Sequence, residues 1–141
     1  FKSPHVHHNP LFRSFRQFQG VMGSRRCMEE FTIELENVPG ALAGVSEAIA
    51  NAGANILAVS AIARVGATAA MVTDDADATK AALNGMGASY TTSAVHSVTL
   101  AHEPGSLAAF TRSVAEDGMN IRSLYVLKMG DESAEIGYTI D

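Results

Sequence analysis

The sequence predicts an α+β protein: a complete βαββαβ unit followed by a second, incomplete βαββ copy, with antiparallel sheets and helices on one face. Three observations carry this expectation. Short runs alternate apolar and polar residues with period two, and the segments between them space their apolar residues three and four apart. Pro-Gly and Gly-x-Asn-Ile punctuate these runs at fixed distances. The same succession then begins again 65 residues later.

The elements follow in order. Phe31-Thr-Ile-Glu-Leu-Glu36 alternates as a half-buried strand does, and Asn37-Val38-Pro39-Gly40 breaks it. Leu42, Val45, Ile49 and Ala52 fall on one face of a helix, with Pro39-Gly40 at its start and Gly53 suited to its left-handed C-terminal cap. Asn55 to Ile62 is apolar and rich in β-branched residues, which predicts a buried strand; Arg64-Val65-Gly66 turns it into a partner strand at Ala67–Thr73. Asp74-Asp75 can cap a helix running to Leu83–Met86, closed by Gly85 or Gly87, and Ser89 to Val95 reads as the next strand. That order is the ferredoxin-like one.

From His96 the pattern restarts. Setting residues 31–63 against 96–128 without a gap gives nine identities in 33 positions: Leu35/Leu100, Pro39/Pro104, Gly40/Gly105, Leu42/Leu107, Ala43/Ala108, Ala50/Ala115, Gly53/Gly118, Asn55/Asn120 and Ile56/Ile121. The second copy supplies a strand, a helix over Ser106–Asp117, and strands at Asn120–Lys128 and Ala134–Ile140, and it lacks a second helix and a fourth strand. The expected organisation is an extension over residues 1–30, a first unit over 31–95 and a second over 96–141. An incomplete second sheet leaves an edge and an apolar face to cover, so a homodimer or larger homo-oligomer is expected.

Composition excludes several classes. Of 141 residues 47% are hydrophobic and 18% charged, enough apolar material for a core. Cys27 is the only cysteine, so no internal disulfide and no multi-cysteine metal site exists. No apolar run approaches the roughly 18 residues of a membrane span. Up to Met28 the chain has five basic residues and no acid; from Glu29 on, five basic residues face fifteen acids, a balance of −10 that attracts neither nucleic acid nor an anionic membrane. The extension carries His5, His7 and His8 and a Phe12, Phe15, Phe18 stripe with arginines between. It reads as a disordered extension or start-site artefact, against a targeting peptide or a basic interfacial helix; nothing pins the histidines into a metal site. No Arg follows the first strand of either unit, as acylphosphatases of this fold require, and no nucleophile elbow or phosphate loop occurs, so catalysis is not expected. No cofactor is expected.

Glu36-Asn-Val-Pro-Gly-Ala-Leu-Ala-Gly-Val-Ser-Glu-Ala-Ile-Ala-Asn-Ala-Gly-Ala-Asn-Ile56 resembles the first half of an ACT domain, and so does Glu103-Pro-Gly-Ser-Leu to Gly118-Met-Asn-Ile121. The tandem is similar to small stand-alone regulatory proteins built of two such domains. The resemblance covers residues 31–141. It implies a module that binds a small amino acid or related metabolite at the strand–helix turns. The turn's own chemistry agrees: Gly40 lets a ligand approach the backbone, and the helix start offers unpaired N–H groups to a carboxylate. In serine-binding members the Asn two before the Pro and the Asn of Gly-x-Asn-Ile contact the ligand; Asn37 and Asn55 match both. The implied first site is Asn37, Val38, Pro39, Gly40, Ala41, Leu42, Asn55 and Ile56. The second is His102, Gly105, Ser106, Leu107, Asn120 and Ile121, where His102 departs from the pattern. For Asn55 and Asn120 a purely structural role in the turn after a capping glycine stands beside ligand binding. The expected protein is a non-catalytic, cytoplasmic regulator whose ligand acts through domain pairing, with an amino-acid-metabolism enzyme as a possible partner. The alternatives are a ligand-free association scaffold and the detached regulatory part of such an enzyme.

Overall fold

The computed structural model describes residues 28–141. The targeting, interfacial and metal readings of the extension concern residues that lie outside those described. Among these residues nine elements follow one another: β1 (Met28–Leu35), α1 (Ala41–Asn51), β2 (Ile56–Ala63), β3 (Ala67–Thr73), α2 (Ala76–Gly85), β4 (Tyr90–Ala101), α3 (Ser106–Glu116), β5 (Ile121–Met129) and β6 (Ser133–Ile140). The βαββαβ unit and the βαββ copy are both present, and their strands form one six-stranded antiparallel sheet in the order β2-β3-β1-β4-β6-β5.

The two units share β4. Its first part pairs with β1, from Ile33↔Tyr90 to Met28↔Val95. Its second part pairs with β6, from His96↔Tyr138 to Ala101↔Ser133. One backbone thus closes the first unit and opens the second, and position 95/96 falls inside a continuous strand. β1 starts at Met28, so residues 28–30, read as extension, are strand. Two successive acids, Glu29 and Glu30, hide the alternation there, although Glu30 is buried.

Each unit packs its helices on one sheet face. Val45 and Ile49 of α1 and Leu83 of α2 meet Phe31, Ile33, Ala69 and Met71. Phe110 and Val114 of α3 meet Val98, Leu100, Ala134, Ile136 and Tyr138. The Tyr138 ring stands edge-on to Phe110 at 5.0 Å, a favoured aromatic arrangement. The helix-free faces turn toward each other. The sheet curls until its two edge strands, β2 and β5, touch, and Ala58, Val72 and Tyr125 form a third cluster between the halves with Met28, Ala70, Val95 and Leu127 around it. Small size is needed there: a Cβ on Gly137 would come within 3.0 Å of the Leu127 side chain.

β2 corrects an expectation. Its apolar composition suggested burial, yet only Ala58 is buried, while Leu57, Val59 and Ile62 are 43%, 51% and 63% exposed. A run of apolar residues marks a strand buried on both faces only when neighbours flank it, and β2 is an edge.

The caps explain the repeated glycines. Val38-Pro39-Gly40-Ala41 is a turn closed by the Ala41 N–H donating to Val38 O, with Gly40 at φ 89°, ψ −12°. This is a type II turn, with Pro preset at its second position and φ > 0 demanded at its third. Glu103-Pro104-Gly105-Ser106 repeats it, with Gly105 at φ 94°. At the other end α1 closes with the Gly53 N–H donating to Ala50 O and the Ala54 N–H to Ile49 O, the Schellman pattern. The same pair of bonds ends α2 at Gly87 and α3 at Gly118.

Two glycines in one stretch should respond with opposite signs. A Cβ on Gly40 or on Gly44 meets nothing within 4 Å, so only the backbone decides. Gly40→Ala forces a side chain into φ > 0 and should destabilise by about 1 kcal/mol. Gly44→Ala, inside α1, should stabilise by about 0.5–1 kcal/mol. Urea unfolding monitored by circular dichroism measures both. A second expectation concerns alkali. Burial raises the Tyr138 phenol to about 12, so above about 10 the unfolded chain loses this proton before the folded one does. The contribution is fully present below pH 10 and is lost as pH rises toward 12. Tyr138→Phe should flatten that part of the stability–pH curve.

Candidate functional site

The first strand–helix turn has the lining expected of a small-molecule groove. Asn37 and Val38 are exposed at the end of β1, and Ala41 and Leu42 open α1. Together with Leu35, Glu36, Ala61, Ile62, Ala63, Ala67 and Thr68 they line a shallow groove of about 190 Å³. The helix start facing the turn has no side-chain cap and no acid in its first turn. The equivalent α3 also lacks both. By contrast α2 caps itself: Asp75 accepts from the Ala78 N–H at 3.0 Å, and Asp77 sits in its first turn. In the two helices related by the repeat the turn takes the first N–H, of Ala41 and of Ser106, and no side chain caps the next ones or the positive dipole end. Gly40 is explained by its positive φ.

The tertiary structure does not bring Asn37 and Asn55 together within one chain. Asn37 follows β1, whose last residue Leu35 pairs with Ala67 at the start of β3. Asn55 precedes β2, whose first residue Ile56 pairs with Thr73 at the end of β3. They stand at opposite ends of a seven-residue strand, about 20 Å apart at ~3.3 Å per residue. The expectation that both hold one ligand from one turn is corrected accordingly. The physical reason is general: α1 carries the chain back along the sheet, so a strand's exit and the next parallel strand's start lie at opposite ends. His102 and Asn120 are separated by β6 in the same way.

The remaining expected positions divide by surroundings. Pro39 is exposed in the type II turn. Ile56 packs against the first core cluster and Ile121 against the second. Gly105, Ser106 and Leu107 start α3 as Gly40, Ala41 and Leu42 start α1, and Leu107 is 47% exposed. His102 is exposed, and its N–H donates to Glu132 O at 2.9 Å. Asn55 is fixed through its backbone: its N–H donates to Asp74 Oδ1 at 2.7 Å and its carbonyl accepts from the Asp74 N–H at 3.0 Å. Its side chain is exposed. Asn120 uses its amide, Nδ2 donating to Asp141 Oδ2 at 2.9 Å.

The fold forms a second concavity away from the turns. Between the helix-free faces lies a cleft of about 390 Å³, lined among others by Glu30, Thr32, Ser60, Thr68, Arg122, Ser123 and Tyr125. Glu30 is only 2% exposed; Thr32 Oγ1 donates to its Oε1 at 3.0 Å and Ser123 Oγ donates to its Oε2. Ser123 Oγ lies 2.6 Å from Thr139 Oγ1. Arg122 is held by Asp141 at 3.1 Å and donates from Nη1 to Ser93 Oγ at 3.1 Å. A signal was available. At the repeat offset, Glu30 corresponds to Val95 and Arg122 to Leu57, so at these positions one copy is charged where the other is apolar, and Tyr125 stands where the first copy has the smaller Ser60.

Among the described residues, no group of three or more His, Cys, Asp or Glu residues is placed to hold a metal ion, and no helix is long and apolar enough to cross a membrane.

Comparison with known proteins gives a consistent picture. The family described as an ACT domain pair matches residues 25–139. Among solved structures the chain is similar to protein BT0572 from Bacteroides thetaiotaomicron, with a TM-score of 0.70, 21% identity and coverage of 80% of this chain and 78% of that one. It is also similar to the ligand-free regulatory subunit of aspartate kinase from Thermus thermophilus, with a TM-score of 0.64, 16% identity and coverage of 80% and 83%. The corresponding subunit from Thermus flavus gives 0.64 and 16%, covering 82% and 84%. At these identities the likeness is one of fold. No curated protein matches the sequence.

The two roles weighed for Asn55 separate in a stability experiment. Because Asp74 holds the Asn55 backbone, Asp74→Ala should cost about 1–2 kcal/mol. Asn55→Ala removes only an exposed side chain and should stay within about 0.5 kcal/mol of the parent. A loss on Asn55→Ala as large as on Asp74→Ala, in urea titrations, would assign Asn55 to the fold alone.

Proposed function

The chain belongs to the family of ACT domain pairs, and on that premise we propose that it is a non-catalytic regulatory module that binds a small amino acid or a close relative at its strand–helix turns. One observation carries this: of the three helices among the described residues, the two related by the repeat start above an exposed turn without a side-chain cap, while the third is capped by its own aspartate. A ligand carboxylate supplies the missing acceptor, and the open amides and dipole stabilise it. The groove beside Asn37 is short and partly apolar, with Val38 and Leu42 on one wall and Ala61 to Ala63 on the other. Those dimensions favour a small side chain on the ligand. Asn37 carries both donors and an acceptor and suits a zwitterion.

Since Asn55 lies at the far end of the sheet, it reaches a ligand at Asn37 only from another copy of the chain. The exposed edge residues Leu57, Val59 and Ile62, with Val38 and Leu42 near them, give such a copy an apolar surface to cover. Ligand binding then favours one pairing of domains over another, which is how the signal leaves the module. A cytoplasmic location goes with a module of this kind. An enzyme of amino-acid metabolism is the corresponding class of partner; the similar Thermus protein is by its name the regulatory subunit of aspartate kinase.

The test is a thermal-shift panel of the twenty amino acids followed by calorimetry. A few should raise the midpoint. Asn37→Ala should weaken binding about ten- to a hundredfold, the loss of a hydrogen bond to a charged group. Asn55→Ala should weaken it only at protein concentrations where sedimentation shows a dimer. His102→Ala should matter less. Unchanged affinity in Asn37→Ala would place the ligand elsewhere, and no response to any amino acid would leave an association scaffold.

A further inference from the structure

The cleft between the helix-free faces holds a buried carboxyl group that has no basic side chain paired with it among the described residues. Glu30 is 2% exposed, and among the described residues its oxygens are met by two hydroxyls, from Thr32 and Ser123. Among the described residues it has no ion-pair partner. A carboxylate taken out of water is stable when a cation or several strong donors meet it, and two neutral hydroxyls leave acceptor capacity unused. Tyr125 lines the same cleft, is 7% exposed, and its hydroxyl is buried with no hydrogen-bond partner among the described residues. A buried, unsatisfied hydroxyl is rare enough to need a cause. On the same wall stands Arg122, its guanidinium fixed from outside the cleft by Asp141 and Ser93.

These groups are also where the two copies disagree. The repeat places Val95 at the position of Glu30, Leu57 at that of Arg122 and Ser60 at that of Tyr125. Each of the three side chains is present in one copy and replaced in the other, so the shared fold does not require it. They come from β1 and β5, which belong to different halves, and meet only because the sheet curls.

We propose that this cleft is a second ligand site, for a small zwitterion. The ligand's ammonium pairs with Glu30 and donates to the Tyr125 hydroxyl, and its carboxylate faces Arg122. A volume of about 390 Å³ admits a small amino acid with water. The site rests on the amino-acid-binding reading only for the class of ligand; its residues are separate from the turns. Because it bridges the halves, occupancy tightens one half against the other.

The experiment labels the tyrosine ring carbon Cζ with ¹³C in the full chain. Tyr125→Phe assigns the Tyr125 signal against Tyr90 and Tyr138. Glycine, L-alanine and L-serine are titrated, beside methylammonium chloride, sodium acetate and sodium chloride. At least one amino acid should move the Tyr125 signal saturably. Glu30→Gln should weaken that response at least tenfold, and the response should survive Asn37→Ala. Where Glu30→Gln fails to fold, Arg122→Leu, which installs the residue of the matching position, should give the same loss. A saturable response to methylammonium or sodium chloride alone, equal to that of the amino acids, overturns the zwitterion in favour of a simple cation. No movement of Tyr125, while the thermal-shift panel still registers binding that Asn37→Ala removes, overturns the cleft and leaves the turn site standing. Silence in both measurements overturns both.

Discussion

Strand β4 carries two hydrogen-bond ladders on one backbone, and the rest of the molecule is arranged around that fact. Its first residues complete the sheet of one unit against β1, and its last residues begin the sheet of the next against β6. With no linker between them, the halves cannot take independent orientations. Side-chain alternation runs unbroken along the strand, so Tyr90 in one half and Val98 and Leu100 in the other point to the helix-bearing side. Val95, of opposite parity, points to the helix-free side. The usual right-handed twist of strands, accumulated over six of them, brings β2 round to β5. Helices end up outside and the helix-free faces inside.

This arrangement decides what each polar group can do. On the outer surface, the two strand–helix turns repeat one local solution: Pro presets the turn, Gly supplies the positive φ, and the helix starts uncapped. The open amides are a by-product of a turn built from Pro and Gly, where α2 uses an aspartate instead. An exposed helix start loses little by this, since water can satisfy its donors. It gains a place where an anion binds at low cost in reorganisation. On the inner surface the opposite holds. Glu30 and Tyr125 are withdrawn from water, and each polar atom there needs a partner from the protein or from a guest.

Duplication makes the two regions legible against each other. Residues shared by both copies, such as Pro39/Pro104, Gly40/Gly105 and Gly53/Gly118, are those the backbone demands twice. Residues that differ are free of that demand. Asn37 against His102 varies one turn, and Glu30 against Val95 puts a carboxyl group in one copy where the other has a valine.

By itself the sequence determined the order of elements, the repeat, the Pro-Gly turns and the capping glycines, because each depends on residues within a few positions of one another: alternation for strands, 3–4 spacing for helices, φ > 0 for glycine. It also pointed to both turns. Only the tertiary structure decided that β4 is shared, since nothing local marks the point where a strand changes partner. Likewise, Glu30 is buried within β1 and bonded to Ser123 of β5, 93 residues away, a contact that no local pattern announces. The apolar run of β2 lies exposed because its place at the sheet edge is set by the order of strands rather than by its composition. Asn37 and Asn55, close in motif, are a sheet length apart because a helix runs between them. Glu30, Arg122 and Tyr125 share a cleft for the complementary reason: sheet curvature joins residues with no sequence relation, and side-chain periodicity carries no information about curvature.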